Sequence, residues 1–125
     1  LASLLRAPLS GDQGLLAALV NPRLAKVLAE VHDKPEHRWT LDQLADVAHM
    51  SRAGFAELFK ETVGRSPMEY VTQWRLALAY RMLADEQAST LQAALACGYD
   101  NESSFSKAFK RELGVTPGSV RQGKS

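Results

Sequence analysis

The sequence predicts an all-α chain of two similar helical units joined by one longer helix, and three observations carry this expectation. Apolar residues recur at helical spacing between Asn, Ser or Thr starts and Gly stops along most of the chain. No useful stretch alternates apolar and polar residues with period two, so strands have no support. The second half also repeats the first at an offset of 49 to 50 residues.

Asn21-Pro22 reads as a cap followed by the first helical residue. Leu24, Val27, Leu28 and Val31 then fall at i, i+3, i+4 and i+7, which predicts a helix near residues 22–32 that Pro35 closes. Thr40 caps a short helix with Leu41, Leu44, Ala45 and Ala48 on one face. Ser51 caps the next, whose apolar stripe is Phe55, Leu58, Phe59 and Thr62. Gly64 ends it, suited to the left-handed conformation that closes helices. Ser66-Pro67-Met68-Glu69 combines a cap, Pro at the first position and Glu at the third. It opens a long helix to about Ala84 with Met68, Val71, Trp74, Leu78 and Met82 as its stripe. Ser89 caps another short helix containing Ala93, Ala94 and Cys97, and Gly98 stops it. A helix from about Glu102 to Leu113 comes next, with Phe105, Ala108, Phe109 and Leu113 inward. Gly114-Val115-Thr116-Pro117 ends that helix and starts a final turn near Val120.

The repeat is specific. At an offset of 50, Phe55 matches Phe105, Phe59 matches Phe109, Lys60 matches Lys110 and Gly64 matches Gly114. Upstream the better offset is 49, pairing Thr40 with Ser89, Ala45 with Ala94 and His49 with Gly98, so the second copy has one extra residue around Asp100. Each copy reads as a capped short helix, a tight turn and a second helix, a helix-turn-helix in which Ala45 and Ala94 allow close approach. Duplicated DNA-binding units and a helical protein-interaction domain both fit this pattern; two copies are too few for a solenoid.

Composition excludes several classes. With 125 residues, 46% of them apolar and 23% charged, the chain is neither disordered nor a multidomain enzyme. The lone Cys97 rules out a disulfide framework, and no apolar run approaches the roughly 20 residues of a membrane-spanning helix. A cytoplasmic protein is expected, and the initial Leu1 suggests a fragment of a longer chain. Net charge is +1, but residues 98–125 carry five Lys or Arg against three Asp or Glu, the one net-positive third of the chain.

The segments Arg38-Trp39-Thr40-Leu41-Asp42-Gln43-Leu44-Ala45, Met50-Ser51-Arg52, Gly64-Arg65-Ser66-Pro67-Met68-Glu69-Tyr70 and Trp74-Arg75 resemble the AraC/XylS transcription regulators. So do Gly98-Tyr99, Ser103-Ser104-Phe105-Ser106-Lys107-Ala108-Phe109-Lys110 and Gly114-Val115-Thr116-Pro117-Gly118, the family's most specific signature. The resemblance covers about residues 22–122 and implies a DNA-binding domain of about seven helices. On this division, residues 1–20 are a linker or the tail of a missing N-terminal sensing or dimerisation domain. Residues 21–66 and 87–125 are the two helix-turn-helix units, and residues 67–86 are the connecting helix. The expected partners are double-stranded DNA and RNA polymerase, with the fragment monomeric and no membrane contact. The sequence departs from the family pattern at His49, where Gly is common, and at Ala53, Gly54 and Ala56, where longer side chains are common.

A recognition helix enters the major groove with the face opposite its core stripe. In the first unit that face is Arg52, Ala53, Ala56 and Glu57; in the second it is Asn101, Glu102, Ser103, Ser106 and Lys107, and these are the expected base contacts. Ser51, Lys60, Arg65, Lys110, Arg111 and Arg121 are expected at phosphates, which position a protein without reading sequence. Small Ala53 and Ala56 assign base discrimination mainly to the second unit. Trp39, Tyr70, Trp74 and Tyr99 are expected to pack in the core rather than stack on bases, and Cys97 to be an inert buried thiol. His32, His37 and His49 lack metal-ligand spacing, and no phosphate-binding Gly loop or nucleophile-base pair is present, so no metal, cofactor or enzymatic activity is expected. A protein-interaction module contacting RNA polymerase or another partner, with weak DNA affinity, is the alternative.

Overall fold

The computed structural model describes residues 13–123. Eight helices succeed one another among them: α1 Gln13–Leu19, α2 Pro22–Asp33, α3 Leu41–Val47, α4 Arg52–Val63, α5 Pro67–Asp85, α6 Thr90–Ala96, α7 Glu102–Leu113 and α8 Pro117–Arg121. No strand occurs among the described residues. Helices α2 to α7 are the six that the punctuation predicts, and the final turn expected near Val120 is the five-residue helix α8, which completes the seven that the resemblance implies.

Local chemistry sets their ends. The Asn21 side chain accepts from the Arg23 and Leu24 amides. Thr40 with Gln43, Ser66 with Glu69 and Ser89 with Gln92 form reciprocal capping boxes. Each such cap stabilises its helix by about 1 kcal/mol, which matters most for the seven-residue α3 and α6. Gly64 and Gly114 close α4 and α7 at φ +90° and +78°.

Two cores result. Leu24, Val27, Leu28 and Val31 of α2 meet Leu44 and Ala45 of α3 and Phe55, Phe59 and Val63 of α4 in the first. In the second, Ala93, Ala94 and Cys97 meet Phe105, Ala108, Phe109 and Leu113, closed below by Val120 of α8. The connecting helix serves both. Tyr70 and Val71 are buried in the first core with Trp74 packed against it, whereas Leu76, Ala79 and Leu83 are buried in the second. The single stripe expected on this helix is therefore corrected: Leu78 and Met82 are only half-buried, because the buried face turns between Trp74 and Leu76.

A second difference lies at the start. Residues 13–19 form a helix where the sequence suggests a linker or tail, and Leu15 and Ala18 are buried in the first core. Gly14 lies against the Val63 carbonyl, where a side chain has no room, so α1 crosses the end of α4 closely. The remainder of the expected linker, residues 1–12, lies outside the described residues.

Within α4, Thr62 is half-buried, and Val63 takes the inward position that the stripe assigns to Thr62. Trp39 and Tyr70 are buried and Trp74 and Tyr99 half-buried, as core packing requires. Cys97 is fully buried, and burial pushes its thiol up to about 12.

Candidate nucleic-acid interface

Each repeat carries the same turn after its short first helix. After α3, the His49 amide donates to the Asp46 carbonyl and the Met50 amide to the Ala45 carbonyl, both at 3.0 Å. After α6, the Gly98 amide donates to Leu95 at 3.1 Å and the Tyr99 amide to Ala94 at 2.9 Å. These paired bonds, with His49 at φ +57° and Gly98 at φ +85°, are the Schellman closure that reverses the chain out of a helix. His49 therefore carries a side chain in the left-handed conformation, as its position in the repeat predicts.

The turn aims the helix after it. Phe55 and Phe59 anchor α4, with ring centroids 5.8 Å apart, and Phe105 and Phe109 anchor α7 at 5.5 Å. With those faces fixed inward, Arg52, Ala53, Glu57 and Lys60 of α4 are exposed and Ala56 is half-buried at the edge. On α7, Glu102, Ser103, Lys107, Lys110 and Arg111 are exposed and Ser106 is half-buried. The outward sets expected from the stripes therefore share one face on each helix.

Several expected contacts have prior engagements. Ser51 and Asn101 are the N-caps of α4 and α7, their side chains accepting from the Gly54 amide at 3.1 Å and the Ser104 amide at 2.8 Å. The Asn101 amide nitrogen and the Ser51 hydroxyl proton stay available to a ligand. Arg52 pairs with Asp42 at 3.6 Å and Arg111 with Glu112 at 3.2 Å, both in exposed pairs that a phosphate can displace. Arg65 is held on the protein itself: its Nη1 donates to Gln73 at 2.9 Å and its guanidinium lies 5.7 Å from the Tyr70 ring centre. Lys107 and Lys110 have no ion pair among the described residues. Arg121 is exposed at the end of α8.

The second unit also has a concavity that periodicity did not reveal. An open groove of about 610 Å³ runs beside α7, lined by Thr90, Ser106, Lys107, Lys110, Arg111, Thr116, Pro117 and Gly118. The cations of Lys107, Lys110 and Arg111 and the hydroxyls of Thr90, Ser106 and Thr116 border this groove, whose lining surface is mostly apolar. Thr90, Thr116 and Gly118 come from the ends of α6 and α8, so only the tertiary fold joins them to α7. No group of His, Cys, Asp and Glu suited to a metal occurs among the described residues, and no helix there is long and apolar enough to cross a membrane.

Known proteins share this arrangement. The family described as a helix-turn-helix domain matches residues 44–123. The RCS-specific HTH-type transcriptional activator RclR of Escherichia coli (strain K12) is 41% identical over 116 residues, spanning 93% of this chain and 41% of that protein. A Streptomyces antibioticus protein described as an AraC-like transcription regulator is 44% identical over 117 residues, spanning 94% of this chain and 38% of that protein. The chain thus spans about two fifths of the length of the curated relatives it matches. The crystal structure of the DNA-binding domain of AdpA, a global transcriptional factor in complex with a target DNA, has a TM-score of 0.75 at 27% identity and covers 79% of this chain and 89% of that one.

Proposed function

Because the chain belongs to the helix-turn-helix family of AraC-type transcription regulators, we propose that it binds double-stranded DNA sequence-specifically, with α4 and α7 in successive major-groove segments. The observation that carries this is the duplication itself. Two copies of one turn present two exposed polar helix faces, in a fold whose counterpart in AdpA was crystallised on its target DNA.

Lys107 donates to guanine O6 or N7, Ser103 and Ser106 and the Asn101 amide read neighbouring base edges, and Glu57 accepts from a cytosine amino group. Arg52, Ala53, Ala56 and Glu102 border these contacts, the two alanines offering only apolar surface, for instance to a thymine methyl. Lys60, Lys110, Arg111 and Arg121, with the caps Ser51 and Thr116, hold phosphates. Arg65 supports this edge through Tyr70 and Gln73. Catalysis has no role here. The chain acts as the cytoplasmic DNA-binding part of a longer regulator whose remaining segment senses or dimerises, it binds as a monomer, and RNA polymerase is the downstream contact.

Selection of bound sequences from random duplex DNA tests the proposal. The expected motif is asymmetric, with two half-sites about 10–10.5 bp apart. A footprint confined to one turn, or strict dependence on a palindrome, overturns it. The protein-interaction alternative draws on one observation, the exposed Leu91 and Leu95 on α6. Salt-insensitive micromolar binding to a protein partner, with no selected DNA motif, would favour it.

A further inference from the structure

Two of the places where the second helix-turn-helix departs from the first meet the same loop of the first unit. One is Gly98, which stands where the first repeat has His49. His49 holds the corresponding turn at φ +57° with a side chain, so the left-handed backbone at Gly98, φ +85°, favours glycine without being its only reason. Space adds a second reason: a Cβ at Gly98 would stand 2.8 Å from the Glu36 carbonyl oxygen and 3.6 Å from Arg75 Nη2. The other is Asp100, in the turn that is one residue longer in the second copy, whose carboxylate pairs with Arg38.

Arg75 of α5 completes the junction. Its Nε donates to the Pro35 carbonyl at 3.0 Å and its Nη2 to the His37 carbonyl. Its own carbonyl accepts from the Cys97 thiol at 3.2 Å, next to the turn. Trp39 Nε1 donates to the Lys34 carbonyl at 3.0 Å and holds the same loop from the side of the first core. A loop of the first unit is thus bonded to the connecting helix and pressed onto the turn that aims α7. A planar guanidinium with donors in a fixed fork resists twisting at such a point, whereas an ammonium pivots.

Resting on the DNA-binding reading above, we propose that this junction fixes the separation and angle of α4 and α7, with Arg75 as its positioning residue and Gly98 as the space that admits it. The junction thereby makes the protein selective for the spacing between half-sites. Two linked binding units gain from each other only when the geometry lets both engage, so a rigid junction converts a misplaced half-site into lost affinity.

Arg75→Lys, Gly98→Ala and Asp100→Asn test this against duplexes carrying the selected half-sites at the native spacing, at spacings one and two base pairs longer, and singly. The unaltered protein is expected to lose about tenfold or more at each altered spacing, as loss of simultaneous engagement predicts. Arg75→Lys and Gly98→Ala are expected to keep single half-site affinity within about twofold and to flatten the spacing preference to about threefold or less. Asp100→Asn, at an exposed pair, is expected to flatten it slightly and cannot unfold the protein through its carboxylate. A second measurement needs no DNA. Spin labels at Lys60→Cys and Lys110→Cys, both exposed, should report one narrow distance that broadens in Arg75→Lys, while buried Cys97 stays unlabelled. An unchanged spacing profile and an unchanged distance distribution in folded Arg75→Lys overturn the proposal. If Arg75→Lys and Gly98→Ala do not fold, an unchanged profile in Asp100→Asn overturns it. If the unaltered protein binds no duplex, the DNA-binding reading fails, and the label distances decide the junction alone.

Discussion

His32 lies half-buried on α2, sharing a 2.5 Å hydrogen bond with the Tyr70 hydroxyl, its ring centre 4.2 Å from that of Trp74. Burial lowers its pKa from the ordinary 6.5, so the folded protein binds its proton less readily than the unfolded chain. Its contribution to stability is therefore full above the unfolded value and falls as the pH drops below about 6.5. Denaturant midpoints between pH 7.5 and 5 should show this decline, and His32→Gln should flatten it; identical pH profiles for the two proteins would contradict it. Trp74 beside it has a buried Nε1 with no hydrogen-bond partner among the described residues, and its ring is only partly covered. Trp74→Ala is expected to cost about 3 kcal/mol, the lower end for a large core aromatic, and less than about 1 kcal/mol would mean the ring supports little. At the proposed DNA face, Lys107→Ala should flatten base preference at one or two positions, worth about 1–3 kcal/mol each. Lys60→Ala should instead weaken all sequences alike and reduce the salt slope by about 1. If Glu57→Ala erases specificity while Lys107→Ala leaves the selected motif unchanged, the first unit is the reader.

Among the elements, the two turns make the sharpest contrast. His49 bears a left-handed conformation that costs an L-residue about 1–2 kcal/mol, against roughly 0.5–1 kcal/mol of extra chain entropy for glycine. His49→Gly should therefore raise stability by about 0.5 kcal/mol, measured by denaturant unfolding, whereas Gly98→Ala should lower it, both through left-handed strain at φ +85° and because the Glu36 carbonyl occupies the space. A loss of stability in His49→Gly would show that its side chain makes a contact worth more than the strain. Helices α2 to α7 were legible from a cap and an apolar stripe, most of them also from a stop, whereas α8 showed only its Thr116-Pro117 start. Helix α1 was not: Leu15 and Ala18 are buried, but Leu16, Leu19 and Val20 are exposed, so an apolar residue predicts neither face. The outward faces of α4 and α7 could be read as the complement of their phenylalanine stripes. The engagement of Arg65 by Tyr70 and Gln73 could not, since spacing says nothing of what a long side chain folds back onto. The same holds for the groove beside α7, whose hydroxyls come largely from other helices.

At the scale of the whole molecule, two small cores share one helix, and neither has the surface-to-volume ratio to be robust alone. Binding strength should rest largely on cations spread over both units, Lys60 in the first and Lys110, Arg111 and Arg121 in the second. Four phosphate contacts predict that log K falls against log salt with a slope of about −4, and a slope near zero would contradict the assignment. The buried face of α5 turns between Trp74 and Leu76, and each residue inserted there would rotate the C-terminal half of the helix by about 100°. No single insertion between those residues can keep both stripes against their cores. The helix acts as a keyed shaft, with one angular setting cut for each unit. On the DNA-binding reading proposed above, replacing the residues that face bases would change the operator. The distance between half-sites would stay as the shaft and its junction dictate, and a change of chain length would be absorbed only by the residues after Asp85, outside the helix.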